Sequence, residues 1–325
     1  FFVAFAVKAG MFPVHSWVPD AYGESPAPVI VLVAGVMAKT GTYGMLRFCL
    51  TLFPQTARLL SPYILGLSVI GILYFALQAL VAQDFKRLLA YVSISHMSVI
   101  TLGVFALNTQ GIEGAVMQMV NHGIIIAALF LIAALIEARF GSRRLSDFGA
   151  LATRLPWLAS AFLLASLAAL GLPGLNSFAG EFLAFLGAFH ADYRFGVLAT
   201  LVVIPAAWYM LRFFQGVMVG PVPATGVVAT TLNPTGGAAG AVAAGDPQAS
   251  HRGRRSRHRR REETGLHDLT WGEFWVLSPL LALIIILGIV PGLLTARIAP
   301  AAQPLSAQYA FVGGRVNLTP YPPLP

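Results

Sequence analysis

Cysteine is nearly absent: Cys49 is the only one in 325 residues. One thiol excludes a disulfide scaffold, an iron–sulfur cluster and a thiolate metal site within the chain. Charge is scarce as well. Only 10% of residues are charged, against about 25% in soluble domains. A surface so poor in charge does not stay in water, which excludes a soluble globular protein. Lysine is the rarest ion, present only as Lys8, Lys39 and Lys86. The chain has no phosphate-binding glycine loop, no GxGxxG, and no HExxH or HxxxH pair for zinc. It also lacks an initiator Met and a signal-peptide n-region and cleavage site. The expectation is a fragment that begins inside a membrane helix.

What remains is apolar. Hydrophobic residues make up 57% of the chain and mean hydropathy is +0.75. These values predict an all-α polytopic membrane protein. Eight spans are expected, near residues 1–11, 29–53, 62–82, 86–107, 112–138, 157–189, 195–219 and 274–296. The sixth is too long for one straight crossing and is interrupted by Gly171-Leu172-Pro173-Gly174. The first is followed by Gly10 and Pro13. Proline removes a backbone donor and glycine lets the chain turn, so two discontinuous helices are predicted. Broken helices at membrane depth are tolerated where they are buried in protein or line a wet cavity.

Charge outside the spans is uneven. The net charge is +8, and His251–Glu263 alone carries seven arginines and two glutamates. The loops after the third, fifth and seventh spans hold Lys86, Arg87, Arg139, Arg143, Arg144, Arg154 and this cluster, so that side is read as cytoplasmic. Four regions follow: a membrane domain over residues 1–219, a low-complexity basic loop over 220–273 expected to be disordered, a final span at 274–296, and an irregular tail over 297–325. The arginine run suits attraction to anionic lipid headgroups in the bilayer. It lacks the interleaved aromatics of a nucleic-acid surface, and no nucleic-acid partner is expected.

The informative residues are ionisable groups inside spans. Lys39, His96 and His122 fall near the middle of three different spans, while Lys8 and Glu181 flank the two breaks. At 1.5 Å per residue, the ten residues from Lys86 to His96 cover about 15 Å, half the hydrocarbon core. An intramembrane charge is costly, about 2.5–3.5 kcal/mol on insertion scales. Five such groups at or near one depth point to a shared role. Lysine, histidine and glutamate can exchange protons near neutral pH once burial brings their ranges together. A relay through Lys8, Lys39, His96, His122 and Glu181 is the expectation. Ser93, Ser95, Thr40, Tyr43 and Asn121 would hold bridging waters, with Lys39 and Tyr43 on one helix face. Glu113 and Glu137 are read as interfacial. Haem ligation by His96 and His122 is disfavoured because 25 residues and a connecting loop separate them, and a serine nucleophile in Ser93–His96 because the stretch lies within a span and has no elbow.

Four stretches carry a family resemblance: FPVHSWVPDAYGESPAP (Phe12–Pro28), AGVMAKTGTYGMLRF (Ala34–Phe48), DFKRLLAYVSISHMSVITLGVFALNTQGIEGAVMQMVNHG (Asp84–Gly123) and GLPGLNSFAGEFLAFLGAF (Gly171–Phe189). The chain resembles the antiporter-like, proton-translocating membrane subunits of respiratory complex I, NADH-quinone oxidoreductase. Within them it is similar to the M-type rather than the L-type branch, because Glu181 stands where L-type chains typically carry lysine and the tail is short. The resemblance implies a fourteen-helix antiporter-like fold of two inverted five-helix repeats, of which this chain would hold the last eight helices. It implies that Lys8 is the lysine at a broken seventh helix, Lys39 the connecting lysine of the eighth, His96 and His122 relay histidines, and Glu181 the terminal acid of the broken twelfth.

It also implies no cofactor in this chain, with NADH, FMN, iron–sulfur clusters and quinone in partner subunits. The implied partners are other membrane subunits of the complex, L-type and N-type antiporter-like chains, in a bacterial inner membrane. The glutamate that would partner Lys8 is not in this sequence, and the loop over 220–268 is longer and more basic than the family pattern. Two alternatives stay open: a subunit of an Mrp-type cation/proton antiporter, and a structural membrane subunit without a proton path.

Overall fold

Long runs of Leu, Ile, Val, Ala and Phe fold as helices here because lipid offers no partner for a free backbone N–H or C=O. The computed structural model describes residues 1–221, 267–309, 311–312 and 315–316. The arginine run and Asn317–Pro325 lie outside the described residues.

The helices are α1 (Phe2–Ala9), α2 (Trp17–Glu24), α3 (Ala27–Leu50), α4 (Pro54–Val81), α5 (Phe85–Phe105), α6 (Thr109–Phe140), α7 (Pro156–Ala169), α8 (Asn176–Ala191), α9 (Tyr193–Val219), α10 (Trp271–Ile289) and α11 (Gly292–Ala307). Six of them are long and apolar enough to cross a membrane: α3, α4, α5, α6, α9 and α10. The pairs α1/α2 and α7/α8 are the two interrupted spans. Both interruptions fall at glycines in the left-handed region, Gly10 at φ 70° and Gly171 and Gly174 at φ 70° and 93°. A side chain is strained there and glycine is not. The fold is therefore an all-α, polytopic one with two discontinuous helices, as the sequence predicts.

The core centres on α5. Its apolar window is 94% buried, whereas that of α10 is 17% buried. Helix α5 is enclosed by α2, α4, α6 and α8. It starts with Asp84 accepting from the backbone N–H of Lys86 and Arg87, which satisfies donors the first turn leaves free. An ionic cluster gathers at the same end. Lys86, almost fully buried, pairs with Glu137 at 2.6 Å. Arg143 lies 3.5 Å from Asp84 and 3.6 Å from Glu24, and donates to the carbonyl of Gly23. The interfacial reading of Glu137 fits this position at the end of α6.

Several expected boundaries are corrected. The third span begins at Pro54, not near Pro62, and Pro62 sits inside α4. A proline at a first turn and one inside a long apolar helix look alike in a hydropathy profile. The final span ends at Ile289, because Val290 leaves the helical region ahead of Pro291. The tail over 297–325 is not wholly irregular: α11 runs to Ala307 despite Pro300 and Pro304. Its end is fixed by Tyr309, whose hydroxyl donates to the carbonyl of Leu50 at 2.7 Å. Residues 267–273 of the expected disordered loop are ordered. Asp268 accepts from the backbone N–H of Trp157 and Leu158 and so caps α7, while Thr270 and Glu273 form a capping box on α10. Arg139 pairs with Glu273 at 2.6 Å.

Candidate functional site

Helix α6 organises the site by coming unusually close to two neighbours. Against α8, a Cβ added at Gly114 would lie 2.3 Å from the backbone nitrogen of Ala184, and one at Gly180 would lie 2.7 Å from Gln118 Oε1. Against α3, a Cβ at Gly123 would lie 2.7 Å from the carbonyl oxygen of Gly35 and 3.8 Å from Lys39 Cε. Small residues at such crossings let backbones approach, and they bring the polar side chains beside them into reach.

The α6/α8 crossing builds a carboxylate site. Glu181 Oε1 accepts from Ser177 Oγ at 2.7 Å and from Gln118 Nε2 at 2.9 Å, and lies 2.9 Å from His96 Nδ1 on α5. Gln118 Nε2 also reaches Ser177 Oγ at 2.8 Å. Glu181 Oε2 rests against Gly171 at the helix break, where an added Cβ would be 2.8 Å away. The break thus opens room for the acid, and α5 and α6 supply its partners. A second link, Asn121 Nδ2 to the carbonyl of Asn176 at 2.6 Å, holds the first turn of α8 onto α6.

From Glu181 the polar groups continue inward. The rings of His96 and His122 are stacked, with centroids 5.2 Å apart and planes at 23°. His122 is 2% exposed and, among the described residues, neither of its ring nitrogens has a hydrogen-bond partner. Beyond His122, the α3/α6 crossing at Gly123 carries Lys39. This lysine is buried, and its Nζ donates to the carbonyl of Ala34. Residues Val33–Met37 form a π-helical turn, in which the N–H of Ala38 bonds to Val33 at 2.9 Å. The wider turn leaves the carbonyl of Ala34 to the lysine. Single π turns inside α-helices are frequent at functional sites.

Four of the five residues singled out from the sequence are brought together in this way: Lys39, His122, His96 and Glu181. Lys8 is not. It is in the last turn of α1, next to Gly10, and exposed. Of the expected water-holding residues, Ser93, Ser95 and Asn121 are buried. Ser95 donates instead to the carbonyl of Ile72 at 2.9 Å. Thr40 and Tyr43 face outward, which corrects the expected shared face of Lys39 and Tyr43. Four residues advance a helix by about 40° beyond a full turn, and helical side chains lean toward the N-terminus. The lysine therefore folds back to Ala34 while the tyrosine points away. Gln118 and Ser177 were missed. Each stands four residues before a group already singled out, His122 and Glu181, and that spacing is the signal that could have found them.

Taken together, broken helices beside ionisable groups among long apolar helices define a class: polytopic membrane proteins of the transporter-like kind. The chain belongs to the NADH:quinone oxidoreductase/Mrp antiporter transmembrane family, whose sequence model matches residues 1–205. It is similar to NADH-quinone oxidoreductase subunit M of Mycobacterium tuberculosis, 37% identical over 303 residues that make up 93% of this chain and 48% of that protein. The same-named subunit of Rickettsia prowazekii is 41% identical over 224 residues, 69% of this chain and 46% of the relative. The chain spans about half the length of the curated relatives it matches.

Among solved structures, a chain of respiratory complex I from Thermus thermophilus with bound NADH superposes with a TM-score of 0.77 at 30% identity, covering 94% of this chain and 57% of that one. A chain of the Mrp complex from a Dietzia species superposes at 0.74 and 26% identity, covering 94% and 58%. The fold is thus the antiporter-like one that these complexes share.

Proposed function

We propose that the chain is part of a proton-translocating membrane subunit of an NADH:quinone oxidoreductase, carrying protons along Lys39, His122, His96 and Glu181. The observation that supports this best is the side-chain sequence from the middle of α3 to the first turns of α8, beside the break between α7 and α8. It includes a 5.2 Å histidine stack and a 2.9 Å histidine–carboxylate contact. Histidine can take up a proton on one ring nitrogen and release one from the other. The stacked pair suits a hand-over between lysine and carboxylate. Unpartnered buried polar atoms at His122, Ser93 and Gln118 Oε1 are the kind that internal water satisfies. Lys8, beside the first break, would feed or drain the same row from the far side.

In this reading the chain does no redox chemistry. NADH, FMN, iron–sulfur clusters and quinone belong to partner subunits, and L-type and N-type antiporter-like chains are its membrane neighbours in a bacterial inner membrane. A second reading, an Mrp-type cation/proton antiporter subunit, is favoured by the Dietzia superposition. The subunit M names of the curated relatives favour the first. One experiment separates them. In sealed membrane vesicles with matched amounts of the assembled complex, NADH-driven quinone reduction should acidify or alkalise the lumen without sodium, and Lys39→Met should abolish most of that proton movement. Sodium-dependent proton exchange without NADH would support the antiporter reading instead.

A further inference from the structure

A groove opens between α3, the first turns of α6 and α11, on the membrane face away from the basic loops. It encloses about 270 Å³ and is lined by Tyr43 and Arg47 from α3, Ile112 and Val116 from α6, and Arg297 and Ile298 from α11. Both arginines are exposed, and among the described residues neither guanidinium has an acidic partner. Its walls are fixed. Thr109 and Ser306 share a 2.7 Å hydrogen bond and Tyr309 donates to Leu50, so α11 is tied to the ends of both α6 and α3.

We propose that this groove binds the headgroup of an anionic phospholipid. Depth is the first reason. Arg47 stands eight residues beyond Lys39, about 12 Å along the helix. Lys39 is at the middle of α3, and half the hydrocarbon core is about 15 Å. The guanidinium therefore reaches the level where phosphates lie. Chemistry is the second. Two arginines without an acidic partner among the described residues line one cavity, and a planar fork of N–H donors matches phosphate oxygens. The third reason is the apolar side of the groove. Ile112, Val116 and Ile298 offer contact to an acyl chain, which a free phosphate ion would leave unused. Tyr43, outward-facing and without a place in the polar row, also lines the groove.

The test uses the purified membrane assembly in nanodiscs of phosphatidylcholine doped with phosphatidylglycerol. Native mass spectrometry reads the lipids retained after washing. Each arginine contributes about fivefold to anionic-lipid preference, so the double variant Arg47→Gln, Arg297→Gln should retain about twenty-fivefold less phosphatidylglycerol, with phosphatidylcholine unchanged. Arg47→Lys with Arg297→Lys should keep most of the preference. Ala301→Trp fills the groove while leaving both arginines, and should expel the lipid equally; it decides the matter if the double Gln variant does not assemble. Equal phosphatidylglycerol retention in these variants overturns the proposal. So does displacement of the lipid by inorganic phosphate, which would indicate a free-anion site, or a crosslink from position 301 to an acidic segment of a neighbouring polypeptide.

Discussion

The two interrupted helices begin from the same local chemistry and end differently. At each, a glycine near φ 70° stops a helix beside an ionisable residue: Gly10 beside Lys8, and Gly171 near Glu181. Glu181 is held by Ser177, Gln118 and His96. Lys8 is exposed, and the face that α1 does bury packs on α3, where Gly41 and Gly44 meet the backbone and ring of Phe5. A broken helix thus makes room for a charge but does not itself satisfy it. The facing helix does, and α6 can serve Glu181 only because glycines at 114 and 180 bring it within hydrogen-bond reach.

The largest effect should come from closing that approach. Gly114→Val places a branched side chain 2.3 Å from a backbone nitrogen of α8 that cannot yield. The cost exceeds the usual overpacking penalty of about 1–3 kcal/mol, and the assembled complex should be lost from membranes by native electrophoresis. Gly272→Ala, with nothing within 4 Å, should assemble like wild type. If both variants assemble equally, the close crossing is not what builds the site.

Gln118→Ala should act next. It removes one hydrogen bond to Glu181, worth about 0.5–1.5 kcal/mol, while Ser177 and His96 remain. Proton translocation should fall by about tenfold at unchanged complex levels, with Gln118→Asn partly retaining it. Full pumping in the alanine variant would mean that the carboxylate needs no support from α6. Thr40→Val should have the smallest effect. Thr40 is exposed and its hydroxyl donates to Met37 on its own helix at 2.7 Å. Adjacent to Lys39 in sequence but unanswered by a facing helix, it should leave proton translocation unchanged. A marked loss would place the outward face of α3 in the path.

Much of this is legible in the amino-acid sequence. Lys39, His96, His122 and Glu181 stand out because an ionisable side chain is costly to hold within a long apolar run. The breaks were legible because Gly and Pro punctuate helices for local reasons. Gln118 and Ser177 were not, since neutral polar side chains in a membrane span carry a weak signal until their partners are known. Thr40 and Tyr43 were misread because a helical wheel shows spacing but not the π turn at Val33–Met37 or the backward fold of Lys39. The burial of α5 leaves a trace in the sequence, where Ser93, Ser95, His96, Ser98 and Thr101 interrupt the apolar run, whereas the exposed α10 has only Ser278 within its apolar stretch.

The central claim is that Glu181 exchanges protons rather than merely packing against the break. The ratio of protons moved to quinone reduced, in sealed vesicles with matched complex levels, tests it for Glu181→Gln beside Glu181→Asp. Gln keeps the shape and the hydrogen bonds but cannot titrate, so the ratio should fall to a small fraction of wild type, while Asp should retain more. A wild-type ratio in the Gln variant would contradict the proposed path.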